Sequence, residues 1–166
     1  MSLRIGHGFD AHRIEAGEGM SLGGVLIACP WRIVAHSDGD VLIHALCDAL
    51  LGALGQGDIG KWFPDSDARF SGISSRLLLQ QVWARAHGQG FELINADLTL
   101  VAEVPRVAAH IPAMRSVLAA ELGATPEQVN VKATTNEQMG HIGRREGIAA
   151  HAVVLLRRRD AGIPLG

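Results

Sequence analysis

Ser37-Asp38-Gly39-Asp40-Val41-Leu42-Ile43-His44-Ala45-Leu46-Cys47-Asp48-Ala49-Leu50-Leu51-Gly52-Ala53-Leu54 opens with a hydroxyl followed three residues later by a carboxylate, the pattern of a capping box. Behind it Val41, Leu42, Ala45, Leu46, Ala49 and Leu50 recur at helical spacing as a wide apolar face. A helix from about Asp38 to Leu54 is therefore expected. Upstream, Leu3 to Ala11 is short and Gly-punctuated and reads as extended, and Gly23-Gly24 marks a hairpin before Val25-Leu26-Ile27. Downstream, Gly57 to Asp67 reads as a loop, and a second helix from Ser74 to His87 stops at Gly88-Gln89-Gly90.

The second half continues the alternation. Phe91 to Glu103 reads as a strand, with Leu98, Leu100 and Ala102 on one side. Pro105 is placed to open a helix reaching about Leu122, before Gly123. Val129 to Thr135 and Ile148 to Leu156 read as strands, the last apolar on both faces. Interleaved strands and helices predict an α/β fold, an α+β two-layer sandwich of ferredoxin-like type with a mixed sheet and helices on one face. The doubly apolar last strand predicts that the fold covers both its faces, or that a partner subunit covers one.

Composition narrows the class. A chain of 166 residues, 48% hydrophobic and 19% charged, is one globular domain, residues 1–166, able to bury its own core. Fifteen Lys and Arg against seventeen Asp and Glu leave no broad basic face, so no nucleic-acid partner is expected. Two cysteines, Cys29 and Cys47, suit a reduced, cytoplasmic setting. No run approaches the roughly 18 apolar residues of a span, and no targeting segment is visible, so a soluble protein without membrane association is expected.

Asp10 and His12 are two residues apart, so on a strand both leave from one face. A carboxylate and an imidazole side by side are two-thirds of a three-ligand zinc site with an open position. His7, His36 and His44 are the nearby candidates for the third ligand. His44 shares an i, i+4, i+8 stripe with Asp40 and Asp48, either of which could orient a ring. The alternative reading is a hydrogen-bonded core histidine with Asp10 capping a turn. His36-Ser37 precedes a helix N-terminus suited to phosphate, or Ser37 simply caps it. In Lys132-Ala133-Thr134-Thr135-Asn136-Glu137 the hydroxyls suit phosphate oxygens and Glu137 a hard divalent cation, or the segment is a solvated edge. Gly140-x-x-Gly143-Arg144 is either a flexible connection or a bend aiming Arg144 at an anion.

Taken together, Arg4 to His12, Ala35 to Val41, Gly57 to Lys61 with Phe63-Pro64-Asp65, Asn130 to Glu137, and Gly143 to Ala149 resemble the 2-C-methyl-D-erythritol 2,4-cyclodiphosphate synthase family. The match runs from about Leu3 to Leu156. The resemblance implies a phosphorus–oxygen lyase of non-mevalonate isoprenoid synthesis. Such an enzyme turns 4-diphosphocytidyl-2-C-methyl-D-erythritol 2-phosphate into the cyclic diphosphate and CMP, the 2-phosphate attacking the β-phosphate.

It also implies roles. Asp10, His12 and His44 would hold Zn²⁺, and Glu137 a second ion, Mg²⁺ or Mn²⁺. His36 and Thr135 would stabilise the transition state. Asp10, Ala11, His12, Ser37, Asp58, Ile59, Gly60, Phe63, Pro64, Asp65, Ser66 and Asp67 would contact the erythritol and its phosphates. Ala102, Glu103, Val104, Pro105, Arg106, Val107 and Ala108 would form the cytosine pocket, with Thr134 and Asn136 near the phosphates and His141 and Arg144 at the substrate's edge. A homotrimer with sites between subunits and an axial cavity is implied, as is the absence of a fused cytidylyltransferase. His141 and His151 depart from the family's aromatic and acidic residues, which weighs against prenyl-diphosphate binding in that cavity. A zinc phosphohydrolase and a trimeric binding module with structural metal are the alternatives.

Overall fold

The computed structural model describes residues 2–64, 67 and 72–159. At its centre lies helix α1 (Val41–Leu54), whose residues are nearly all buried, leaving only Asp48, Gly52 and Leu54 partly or fully open. The expected single apolar face is thus an apolar surface all round, which fits a helix enclosed by other elements. Its cap is Asp40, not Ser37. Gly39 turns the chain through a left-handed φ of 71°, and Asp40 is the last extended residue. The Asp40 carboxylate accepts from Ile43 N at 3.1 Å, Gly23 N at 2.9 Å, Gly24 N at 2.7 Å and the Ser21 hydroxyl at 3.2 Å. One fully buried side chain so satisfies its own charge and fastens a hairpin to the helix.

That hairpin joins β2 (Met20–Leu22) and β3 (Val25–Ile27). Gly23 and Gly24 have φ of 59° and 76°, the doubly positive turn that favours glycine. The main sheet has the order β4 (Trp31–Val34), β1 (Leu3–Ala16), β7 (Gly147–Arg158), β5 (Phe91–Val101), β6 (Val129–Thr134). Only β5 and β6 run parallel, joined through α4 (Ile111–Glu121); the other pairs are antiparallel. Helix α1 packs on β1 and β7, α3 (Ser75–Gly88) on α1 and β5, and α4 on β6. This is the expected two-layer arrangement, with a mixed sheet.

Several boundaries differ from the sequence reading. Strands β1 and β7 are longer, pairing from Leu3↔Arg157 to Arg13↔Gly147. The loop after Gly57 contains a helical turn, α2 (Ile59–Trp62), because Asp58 caps it by accepting from Lys61 N at 2.9 Å. Pro105 does not open α4. It follows a cis Val104–Pro105 bond in a connecting segment, a 3₁₀ turn spans Ala108–His110, and α4 begins at Ile111 with Pro112 in its first turn.

The sheet's second face answers the question posed by β7. Ile148, Ala150, Ala152, Val154 and Leu156 are buried against the helices. Opposite them Leu3, Ile5, Phe9 and Val153 remain 52, 73, 51 and 39% exposed. Among them His7 Nε2 lies 3.2 Å from His151 Nδ1, and Phe9 packs on the His151 ring. The described residues leave this apolar face uncovered.

Candidate active site

Two glycines set the distance between β1 and α1. A Cβ on Gly6 would lie 1.8 Å from Ala49 O, and one on Gly8 1.9 Å from Ala45 O. The helix backbone therefore rests directly on the strand. Two strand residues advance about 6.6 Å and four helix residues about 6 Å, so the contact stays in step toward Asp10 and His12. His44 consequently meets both.

The three side chains converge. His12 Nε2 is 2.9 Å from Asp10 Oδ2, His44 Nδ1 is 3.0 Å from the same oxygen, and the two ring nitrogens are 3.0 Å apart. Asp10, His12 and His44 are the cluster among the described residues with metal-ligand chemistry and spacing. Tetrahedral zinc with bonds near 2.0–2.1 Å holds its ligands roughly 3.3 Å apart, so small adjustments would admit it. Burial works against charge on Asp10, yet hydrogen bonds from His12 and His44 hold its carboxyl well below the usual range. Burial likewise opposes protonation of His44, but Asp10 outweighs it and raises the ring's pKa. A divalent cation held by all three side chains would replace these hydrogen bonds on the carboxylate.

The other nitrogen of His44 is held by residues that the sequence reading missed. His44 Nε2 lies 2.9 Å from Ser75 Oγ and 3.3 Å from Ser37 Oγ. Ser75, fully buried, in turn donates its hydroxyl to Asp38 Oδ1 and its amide to Asp38 Oδ2. With Nε2 donating to Ser75, Nδ1 is the nitrogen directed at Asp10 and His12, and loss of its proton would present a lone pair there to a metal ion. No spacing rule links position 75 to 44; the packing of α3 on α1 makes the pair. The residues expected to orient the ring do otherwise: Asp40 caps α1, and Asp48 accepts from Ile59 N at 2.8 Å, fixing the start of α2. Ser75→Ala is expected to lower zinc affinity about 10–100-fold while the protein stays folded, as measured by chelator competition.

The cluster opens into a cavity of about 390 Å³, lined also by Val34, Ala35, His36, Ser37, Ile59, Gly60, Phe63, Ile73 and Leu78. His36, Ser37, Ile59, Gly60 and Phe63 are thus gathered around the three ligand candidates. Ala11 points to the opposite sheet face, and Asp58 serves as the α2 cap. Pro64 is exposed, and Asp67 N donates to Pro64 O at 2.9 Å. Asp65 and Ser66 lie outside the described residues.

The remaining expected residues form a second group. Ala102 N donates to Thr134 O at 3.0 Å, joining the 102–108 segment to the end of β6. Glu103 turns its carboxylate onto the loop after β6, where Thr135 Oγ1 donates to Glu137 Oε1 at 3.3 Å. Val107 is buried, while Arg106 is exposed. Helix α5 (Gly140–Gly143) carries an exposed His141, and Arg144 beyond it pairs with Glu146 at 2.8 Å. Pairing runs Ala11↔Ala149, Ala149↔Val101, Val101↔Thr134. Thr134 therefore lies three strands, or roughly 14 Å, from Ala11. It also faces away from the helices, whereas Asp10 and His12 face them. Thr135 and Glu137 do not line the metal-site cavity.

Among the described residues no helix is long and apolar enough to cross a membrane. Residues 3–157 match the model of the YgbB family. The chain is 56% identical over 156 residues to the 2-C-methyl-D-erythritol 2,4-cyclodiphosphate synthase of Pseudomonas syringae pv. syringae (strain B728a), covering 94% of this chain and 99% of that one. Its structure is similar to that of the bifunctional IspDF of Campylobacter jejuni, with TM-score 0.91 and 43% identity, covering 96% of this chain but only 43% of that longer one. It is also similar to IspF of Plasmodium falciparum, solved as a CDP complex, with TM-score 0.84 and 30% identity over 95% and 97% of the two chains.

Proposed function

The chain belongs to the YgbB family, that of the 2-C-methyl-D-erythritol 2,4-cyclodiphosphate synthases, and we propose that its Asp10–His12–His44 cluster and its Glu137 loop are the two halves of the active site. It converts 4-diphosphocytidyl-2-C-methyl-D-erythritol 2-phosphate to the cyclic diphosphate and CMP, in the non-mevalonate pathway. The observation that carries the site assignment is the meeting of three metal-ligand atoms at a cavity also lined by His36 and Ser37.

The reaction forms a bond from a 2-phosphate oxygen to the β-phosphorus and breaks the β-phosphorus bond to the oxygen shared with CMP. A phosphate oxygen is already anionic near pH 7, so the protein need supply no strong base. Its work is to bend the substrate and offset charge. Ile59, Gly60 and Phe63, presented by α2 and its C-terminal end, enclose the erythritol. Asp58, Pro64 and Asp67 complete that rim, and Ala11 adds backbone beside it. Asp65 and Ser66, outside the described residues, are carried over as substrate contacts from the family alone. Ser37 and His36 hold phosphate oxygens at the cavity wall, and Thr135 does so from the second group, with Thr134 and Asn136 beside it. The segment from Ala102 to Ala108 receives the cytosine through backbone groups, and His141 and Arg144 flank it. When bound, Zn²⁺ at Asp10, His12 and His44 and Mg²⁺ or Mn²⁺ at Glu137 supply Lewis-acid stabilisation of charge on the diphosphate.

The Glu137 loop leaves the sheet at Thr134, three strands and roughly 14 Å from Ala11, and shares no lining with the metal cavity. We place them together across a subunit boundary: a homotrimer, in one cytoplasmic domain, buries the exposed Leu3–Ile5–Phe9–Val153 face at its axis and joins one chain's metal cavity to its neighbour's Glu137 loop. Inactive H44A and E137A chains, unfolded and refolded together, are expected to regain about a quarter of wild-type turnover, because each interface draws its two halves independently. No recovery, or a monomer by light scattering at micromolar concentration, contradicts this arrangement. Glu137→Gln is expected to raise the half-activating Mg²⁺ or Mn²⁺ concentration about tenfold, losing one charge-assisted contact, with zinc content unchanged.

A further inference from the structure

The loop that carries Glu137 is a tight turn, closed by Met139 N donating to Asn136 O at 2.9 Å and Asn136 Nδ2 donating to Met139 O at 2.8 Å. Glu137 and Gln138 have φ of 50° and 61°, two successive non-glycine residues in the left-handed region. Each such residue is strained and persists only where its surroundings fix it. Beyond the turn's own closure, two contacts from outside the turn do so. Gly143 presses from one side, where an added Cβ would lie 2.0 Å from the Gln138 carbonyl carbon. From the other, a single oxygen of Glu103 accepts from Asn136 N and Gln138 N, both at 3.0 Å. The amides flanking Glu137 are thus tied to one point, and Glu137's own amide turns to Thr135 Oγ1 at 3.3 Å.

We propose that Glu103 is a positioning residue: its carboxylate clamps the backbone of the 135–138 loop and so aims Thr135 and Glu137. Its consequence for catalysis rests on the reading of Glu137 as holder of the second cation. The same side chain belongs to the 102–108 segment, whose Ala102 amide is bonded to Thr134 O at 3.0 Å. Hydrogen bonds therefore tie the 102–103 end of the nucleotide segment both to the end of β6 and to the Glu137 loop. The clamp works through reach and lone pairs, not through charge on a ligand. Glutamine offers the same carbonyl oxygen at the same distance; aspartate keeps the charge but is one methylene too short.

The test compares E103Q with E103D in the full chain, alongside wild type. In E103D, hydrogen exchange at the Asn136 and Gln138 amides is expected to accelerate at least about tenfold. The half-activating Mn²⁺ concentration should rise by a similar factor and kcat should fall, with bound zinc unchanged. E103Q should recover most of the protection and most of the Mn²⁺ response. Unchanged exchange in E103D, or an E103Q as impaired as E103D, overturns the clamp. A clamp seen by exchange with no change in Mn²⁺ response overturns its catalytic role. Failure of wild type to yield the cyclic product would instead overturn the functional reading, and the exchange result stands apart from it.

Discussion

His44→Ala is expected to lose stoichiometric zinc and to lower kcat on the order of 10³-fold, the loss of several kcal/mol of charge stabilisation at the diphosphate. His44 supplies one of three ligand atoms and is 5% exposed, so water cannot take its place without entering the core beside Ser75. The remaining pair, Asp10 and His12, sits on one strand face with nothing opposite it. Metal analysis of the purified variant, with circular dichroism to confirm folding, checks the result. Normal zinc content with normal turnover would remove His44 from the site.

Gly8→Ala is expected to do comparable damage without touching a single ligand. The new Cβ would lie 1.9 Å from Ala45 O, and α1 would have to retreat by roughly 1.5 Å to restore ordinary contact. His44 precedes Ala45, so it moves away from Asp10 and His12 with the helix. A displacement near 1 Å can cost about 10²-fold in rate, and overpacking of this kind about 1–3 kcal/mol or more, roughly 3–10 °C in Tm. Gly52→Ala is the control. That residue is on the open side of α1, where a Cβ meets nothing closer than His7 O at 3.7 Å. It should gain about 0.5–1 kcal/mol from helix propensity. Thermal melts and zinc titrations of the two variants separate backbone approach from glycine content.

Periodicity and caps made α1, α3 and the strands legible, because those signals are local. The metal cluster was half legible: alternation puts Asp10 and His12 on one face, but only the Gly6 and Gly8 contacts show which helical residue they meet. Pro105 misled because the cue for a helix start applies equally to Pro112, and only the tertiary path of the 102–110 segment decides between them. Ser37 misled similarly, since Asp40 finds more donors, three of them from a hairpin distant in sequence. Ser75 and Glu103 were invisible as positioning groups, for each acts on a residue more than thirty positions away. The apolar outer side of β7 did carry over, as a face the described residues leave open.

The most direct measurement follows the oxygen atoms. Wild-type protein, zinc-loaded and supplied with Mg²⁺ or Mn²⁺, is incubated with 4-diphosphocytidyl-2-C-methyl-D-erythritol 2-phosphate in water enriched in heavy oxygen, and the products are read by mass and ³¹P resonance. Attack by the substrate's own 2-phosphate yields CMP and the cyclic diphosphate in equal amounts, neither carrying solvent oxygen. An open-chain 2,4-bisphosphate, with solvent oxygen in it or in the released CMP, would mean that water is the nucleophile and would contradict the account.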